Sequence, residues 1–141
     1  MSKDFEQLSI KPGYMKHNDG LLFREISKHE YEFKTTIKDK HLNTAGITHG
    51  GYIASIIDAG AGTAAHRVSD HNPCVTISLE LKFISPVELG QELIGTTKIQ
   101  KKTRSMVFLT CELTVEKKIV ATASGVWKIL NKKLSGAKPV G

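Results

Sequence analysis

GGYIASIIDAGAGTAAHRVSD, residues 50–70, is the stretch whose reading decides the fold. It contains no proline and is rich in alanine. Ile53, Ile56, Ile57, Gly60 and Ala64 recur at the 3–4-residue spacing that puts apolar side chains on one face of a helix. The spacing predicts one long helix from Gly50 to about Val68, with Thr48 as its N-cap. Its middle is an unbroken run of small residues, Ala59 to Ala65. Gly60 and Gly62 within that run cost about 1 kcal/mol each relative to alanine in a helix interior. Such a cost is tolerable if a sheet packs tightly around the helix.

Outward from the helix, the hydrophobic period changes from helical to alternating on both sides. Upstream, Leu21–Ser27 and Glu30–Ile37 have strand character, with Tyr31, Phe33, Thr35 and Ile37 on one face; Asp39–Thr48 is polar and turn-like. Downstream, VTISLELKFI (Val75–Ile84) alternates, placing Val75, Ile77, Leu79, Leu81 and Phe83 together. SPVELGQ then makes a turn, and Glu92–Lys101, Met106–Val115 and Ile119–Ile129 follow with short polar connections, as in a meander of hairpins. The predicted order is β-β-α-β-β-β-β, an α+β domain with one antiparallel sheet over residues 20–131. Residues 1–19 form a weakly patterned N-terminal segment of loop or short helix, and residues 132–141 a flexible tail.

At 141 residues the chain has the size of one ordinary domain. No apolar run approaches the roughly 20 residues of a membrane-spanning helix, and the N-terminus lacks the apolar core of a signal peptide. Cys74 and Cys111 supply neither a disulfide framework nor a CxxC metal pattern, so a reduced, cytoplasmic setting is expected. The formal charge of +6, from 20 basic against 14 acidic residues, favours an anionic partner. The basic cluster KIQKKTR (Lys98–Arg104) comes without the aromatic interleaving or motifs of nucleic-acid binders, which leaves a phosphorylated small molecule or a plain solvated surface.

The chemistry concentrates in NTAGITHGGYIASIID, Asn43–Asp58. Two glycines open the helix, where first-turn N–H groups lack intrahelical acceptors and the helix dipole favours negative charge. Without a side chain at Gly50, a ligand oxygen can approach its N–H, as an oxyanion hole requires; alternatively, both glycines serve only a tight turn. Asp58 is the acid inside the stretch, a general base or nucleophile if it is held against a substrate. Gly50 and Asp58 are eight residues apart, about 12 Å along one helix axis. One reacting carbonyl needs its donors and its base within about 3 Å. If both act, they come from different copies of the chain, as antiparallel helices across a two-fold axis would arrange.

Asn43, Gly46, His49, Gly50, Gly51 and Asp58 fall in the register of a known signature. The pattern N-x-x-G-x-x-H-G-G-x-x-x-x-x-x-D resembles that of the PaaI-like hotdog-fold acyl-CoA thioesterases, the family that includes acyl-CoA thioesterase 13. The likeness continues through VTISLELKFISPVELGQ and covers roughly residues 20–130. It implies a hotdog fold, an antiparallel sheet wrapped around one long helix, and hydrolysis of an acyl-CoA to free acid and CoA. It further implies that the Gly50 N–H and Asn43 hold the thioester carbonyl and that Asp58 of a facing subunit activates the water. His49 orients the loop, and Thr76 stands where relatives carry a water-positioning serine. Phe83 is expected near the pantetheine arm and Lys101, Lys102 and Arg104 at the CoA phosphates. No cofactor or metal is implied, since CoA is part of the substrate. The expected partners are acyl-CoA and further copies of the chain, as a homodimer or a dimer-of-dimers tetramer, and neither nucleic acid nor membrane.

His41, His49, His66 and His71 lie close in sequence but lack HxH or HExxH spacing, which speaks against a metal site. Cys111, alternating with Val107 and Leu109, reads as core. The competing reading from another class is a non-catalytic acyl-CoA-binding hotdog module; a hotdog hydratase would need a different His–acid arrangement.

Overall fold

The computed structural model describes residues 3–131. Seven strands form one antiparallel sheet in the order β1-β2-β3-β5-β6-β7-β4, with β1 Glu6–Gln7, β2 Leu22–Ser27, β3 Glu30–Thr36, β4 Cys74–Phe83, β5 Glu92–Lys102, β6 Met106–Val115 and β7 Lys118–Ile129. Helix α1 is the single turn Tyr14–His17, and α2 runs from Gly50 to Val68, the span its spacing predicts. The N-terminal segment is not separate from the domain: β1 pairs with β2, and Arg67 near the end of α2 reaches Glu6 at 2.5 Å. The tail at 132–141 lies outside the described residues. No helix among the described residues is long and apolar enough to cross a membrane.

The helix glycines are explained by two aromatic rings. The Phe33 ring lies between Gly60 of α2 and Gly95 of β5, so closely that a Cβ at either would overlap it. Trp127 of β7 is seated likewise between Gly62 and Gly125; a Cβ at Gly62 would lie 3.2 Å from its Nε1. Both rings are fully buried, and each removes an aromatic-sized apolar surface from water. Tyr31, Phe33 and Ile37 point inward as the alternation of β3 predicts.

Strand β4 departs from its predicted face. A register shift between Thr76 and Ser78 inserts Ile77 as an extra residue, so the phase of the strand resets there. Before the bulge Cys74 and Thr76 face the helix, where strict alternation places Val75 and Ile77; after it Leu79 and Leu81 pack on the core. Ile77 and Phe83 remain more than half exposed. Among the described residues β4 is also an edge strand, hydrogen-bonded along one side only, to β7.

Candidate active site

The loop His41–His49 is closed at its base like a small hairpin. The His49 N–H donates to the His41 carbonyl at 2.8 Å, Leu42 bridges Thr48, and the Asn43 N–H donates to the Ile47 carbonyl at 2.7 Å. The Asn43 side chain stabilises the loop from within: its Oδ1 accepts from the N–H groups of Ala45 at 2.9 Å and Ile47 at 3.2 Å. Since those donors fix the oxygen, the Nδ2 amide is left as the free donor of this side chain. Gly46 turns the loop with φ +84, a conformation that side-chain-bearing residues rarely adopt.

The cap of α2 is His49 rather than Thr48. His49 Nδ1 accepts from the Gly51 N–H at 2.8 Å, and a Cβ at Gly51 would press against the imidazole at 2.9 Å. The second glycine of the pair is therefore required by the capping ring. The Thr48 hydroxyl goes elsewhere: with its own N–H it donates to the Val87 carbonyl, at 2.7 and 2.8 Å, clasping the helix start to the turn after β4. Gly50 is then the first helical residue, and its N–H has no acceptor within the helix. Asn43 and Gly50 line one cleft of about 430 Å³ with Ile53, Phe83, Ile84 and Val87. Phe83, 57% exposed, lies over Gly50, whose built Cβ would contact its ring at 3.6 Å.

His41 secures the other side of this loop. It is 1% exposed and its ring stacks on Tyr52 with centroids 3.9 Å apart. Nδ1 accepts from the Lys38 N–H at 2.9 Å, so Nε2 carries the proton and meets the Asn18 carbonyl at 3.2 Å. Burial holds its pKa below the ordinary 6.5, outweighing the opposing pull of the Asn18 carbonyl and Asp19. Above that value both folded and unfolded chains hold the ring neutral. As pH falls through it, the unfolded chain takes up the proton first, so stability is lost. Urea midpoints are expected to change little from pH 7.5 to 6.5 and to fall below it towards pH 5.5; a midpoint that rises on acidification through this range contradicts the assignment. Asp19, lowered by Lys40 and Lys38, titrates in a separate window below pH 3.8.

Asp58 does not line the Asn43–Gly50 cleft. Its Oδ1 accepts from the Thr76 hydroxyl at 2.6 Å, in the range of a hydrogen bond to a charged acceptor. The bulge at Ile77 makes this possible, because it turns Thr76 toward the helix. Trp127 is Thr76's register partner on β7; its indole N–H is buried with no hydrogen-bond partner among the described residues. The expected residues thus form two groups in one chain, Asn43–Gly50–Phe83 and Asp58–Thr76.

The basic residues form a third group at the β5–β6 turn. Register pairs Lys101 with Phe108 and Lys102 with the buried Val107, so the two lysines leave opposite faces of the sheet. Arg104 is exposed in the turn between β5 and β6. The cysteines are buried thiols: burial pushes Cys111 up to about 12, and Cys74 is raised for the same reason. Among the described residues no three His, Cys, Asp or Glu side chains are grouped to hold a metal ion.

Residues 45–122, more than half of the chain, match the Thioesterase superfamily. The chain belongs to that family. Thioester hydrolysis is the general activity that membership in the Thioesterase superfamily brings. The chain is 31% identical over 107 residues to a Pseudomonas aeruginosa protein provisionally named esterase PA0474, covering 75% of this chain and 80% of that one. It is 27% identical over 78 residues to mouse acyl-coenzyme A thioesterase 13, where the match spans 55% of this chain and 56% of the mouse protein. Among solved structures, zebrafish thioesterase superfamily member 2 superposes with a TM-score of 0.78 at 19% identity, over 86% of this chain and 89% of that one. A variant of the phenylacetic acid degradation protein PaaI from Thermus thermophilus gives 0.73 at 21% identity, over 81% and 96%. These structural likenesses are of fold, and they make the sheet around α2 a hotdog.

Within this thioesterase fold, sequence reasoning missed Ile53, Ile84 and Val87 of the cleft and the pairing of Thr48 with Val87. The clasp spans 39 positions in sequence, so no local pattern could signal it.

Proposed function

We propose that this protein hydrolyses acyl-CoA thioesters at a site shared by two copies of the chain. The observation that carries the reading is the separation of Asn43–Gly50 from Asp58–Thr76 within one chain. The first group offers two donors, the Gly50 N–H at a helix N-terminus and the Asn43 amide. The second offers a carboxylate aimed by a hydroxyl. A carbonyl needs both, and two antiparallel α2 helices would bring them together. Among the described residues no strand pairs with the outer side of β4, whose backbone groups a second copy of the same strand can satisfy. The resulting homodimer is the minimum unit, and two such dimers pairing into a tetramer would leave the sites intact.

In this reading the thioester oxygen lies between the Gly50 N–H and Asn43 Nδ2, with His49 holding the loop. In the copy that supplies the carboxylate, Thr76 donates to Oδ1 of Asp58 in its own chain, leaving Oδ2 to take a proton from water as it attacks. The tetrahedral intermediate's negative oxygen is stabilised by the two donors. Its collapse breaks the C–S bond, and the proton on Asp58 passes to the departing CoA sulfur. Phe83 and the apolar wall of the cleft would pack against the pantetheine arm. The charge of +6 suits the CoA phosphates. The two buried, unpaired thiols suit a reducing cytoplasm.

Release of free CoA from short, medium, long and aromatic acyl-CoAs tests the proposal. Turnover of at least one class is expected; binding without release by the wild-type protein would make it an acyl-CoA-binding module instead. Lys102→Glu and Arg104→Glu are each expected to weaken CoA binding, more at low than at high ionic strength, because exposed charges are screened by salt. Unchanged affinity in both would remove the hairpin from the site.

A further inference from the structure

Trp127 carries a buried donor without an acceptor, and it stands beside an acceptor without a donor. The indole is 1% exposed, and its Nε1–H has no hydrogen-bond partner among the described residues. An N–H shut away from water and left unpaired is costly, so protein interiors rarely keep one. Thr76 is the register partner of Trp127 on β4, and both side chains lie on the helix side of the sheet. Such partners hold their Cβ atoms about 4.5–5.5 Å apart. The Thr76 hydroxyl gives its one proton to Asp58 Oδ1 at 2.6 Å, which leaves its oxygen lone pairs able to accept. Among the described residues no donor is bonded to that oxygen.

The helix bounds the same nitrogen from the other side. Nε1 is the ring atom nearest to Gly62, 3.2 Å from where a Cβ would stand, and Gly62 lies one turn beyond Asp58 on the same face of α2. The two glycines around the ring hold it unequally. At Gly125 a Cβ would lie 2.5 Å from Cζ3, so the six-membered end is wedged against its own strand. At Gly62 the wider contact leaves the nitrogen end slack, free to pivot about the wedged one. Glycine there weakens the helix relative to alanine, and a 3.2 Å contact does not by itself demand it. Room for the nitrogen to move is what Gly62 supplies.

We propose that Trp127 is a positioning residue for thioester hydrolysis: a small pivot sets its Nε1–H on the Thr76 oxygen and completes a chain from Trp127 through Thr76 to Asp58. A donor on its lone pair steers the Thr76 proton towards Asp58 Oδ1. The carboxylate is then held in one orientation, with Oδ2 turned to the water. Each hydrogen bond in such a chain polarises and strengthens the next. The indole proton stays on its nitrogen throughout, so Trp127 acts on the reaction only through the two side chains it aligns. The inference rests on the acyl-CoA reading above, in which Asp58 is the base.

Trp127 is the chain's single tryptophan, so growth on benzothienylalanine puts sulfur in place of this one N–H. The analogue keeps the fused ring, and with it the packing against Gly62 and Gly125. Turnover of the acyl-CoA that the wild type hydrolyses fastest is measured in four full-length proteins: wild type and Thr76→Val, each with tryptophan and with the analogue. In the wild-type background the analogue should lower kcat about fivefold, as loss of one hydrogen bond of ordinary strength would, with KM unchanged. In Thr76→Val it should lower kcat no further, because the hydroxyl it acts through is gone. Equal kcat with and without the analogue in the wild-type background overturns the inference and leaves the hydrolase reading standing. The same fall in both backgrounds also overturns it, since the ring would then act by packing alone. No release of CoA by the wild type overturns the underlying reading instead.

Discussion

Asp58→Asn is expected to lower acyl-CoA turnover by about 10²–10⁴-fold, the usual contribution of a positioned general base. The substitution keeps size and shape and leaves an oxygen for the Thr76 hydroxyl, which donates at 2.6 Å, so the helix and strand should remain joined. CoA affinity should stay near wild type, because the cations proposed to hold the phosphates lie on the hairpin, apart from Asp58. The signature of the assignment is this split: kcat falls while the dissociation constant holds. Thr76→Val should show a weaker form of the same split and Thr76→Ser little change, since serine retains the hydroxyl. Full turnover by Asp58→Asn would show that the carboxylate takes no part in the chemistry.

The second large effect concerns the fold. Gly60→Ala is expected to destabilise the protein by about 1–3 kcal/mol, the cost of overpacking a close-packed interior. The direction opposes helix propensity, which by itself favours alanine over glycine by about 1 kcal/mol. The reason is the Phe33 ring, which occupies the place of the new Cβ and cannot retreat because Gly95 is against its other side. Phe33→Leu should cost stability alone yet relieve Gly60→Ala in the double variant, a favourable coupling measurable by urea denaturation of all four proteins. Strictly additive effects would mean that the ring does not constrain the helix glycine. At Gly62 the neighbour is the Trp127 indole edge at 3.2 Å, so Gly62→Ala should be milder.

Much of this arrangement was legible in the sequence because local periodicity carried it. The 3–4 spacing of Ile53, Ile56, Ile57, Gly60 and Ala64 located α2 over Gly50–Val68, and the small residues beside it foretold tight packing. The inward faces of β3 and β6 followed alternation, including the buried Cys111. Alternation failed in β4, where a bulge at Ile77 is settled by pairing with β7. That failure matters for the site: unbroken alternation would turn Thr76 away from Asp58. Cap chemistry misled at Thr48, because the hydroxyl found the Val87 carbonyl and an imidazole took its place at the helix. The basic cluster was visible as charge, and alternation alone puts Lys101 and Lys102 on opposite faces; which of the two shares a face with the buried Val107 depends on a register shift between Ile99 and Lys101, again a matter of strand pairing. The resemblance of Asn43–Asp58 to thioesterases agrees with the Thioesterase superfamily match over residues 45–122.

The central claim, that one site is assembled from Gly50 of one copy and Asp58 of another, is tested most directly by complementation. Gly50→Pro is a suitable partner for Asp58→Asn. Proline is tolerated at the first helical position, where it removes the N–H donor, and His49 already has the extended backbone, φ −63 and ψ 132, that suits a residue before proline. Each variant alone should be nearly inactive. Co-expressed or refolded together, they should recover about a quarter of wild-type turnover, since half the dimers are mixed and each mixed dimer holds one intact site of two. No recovery, with mixed dimers demonstrably formed, would contradict the shared site and place both residues' roles within a single chain.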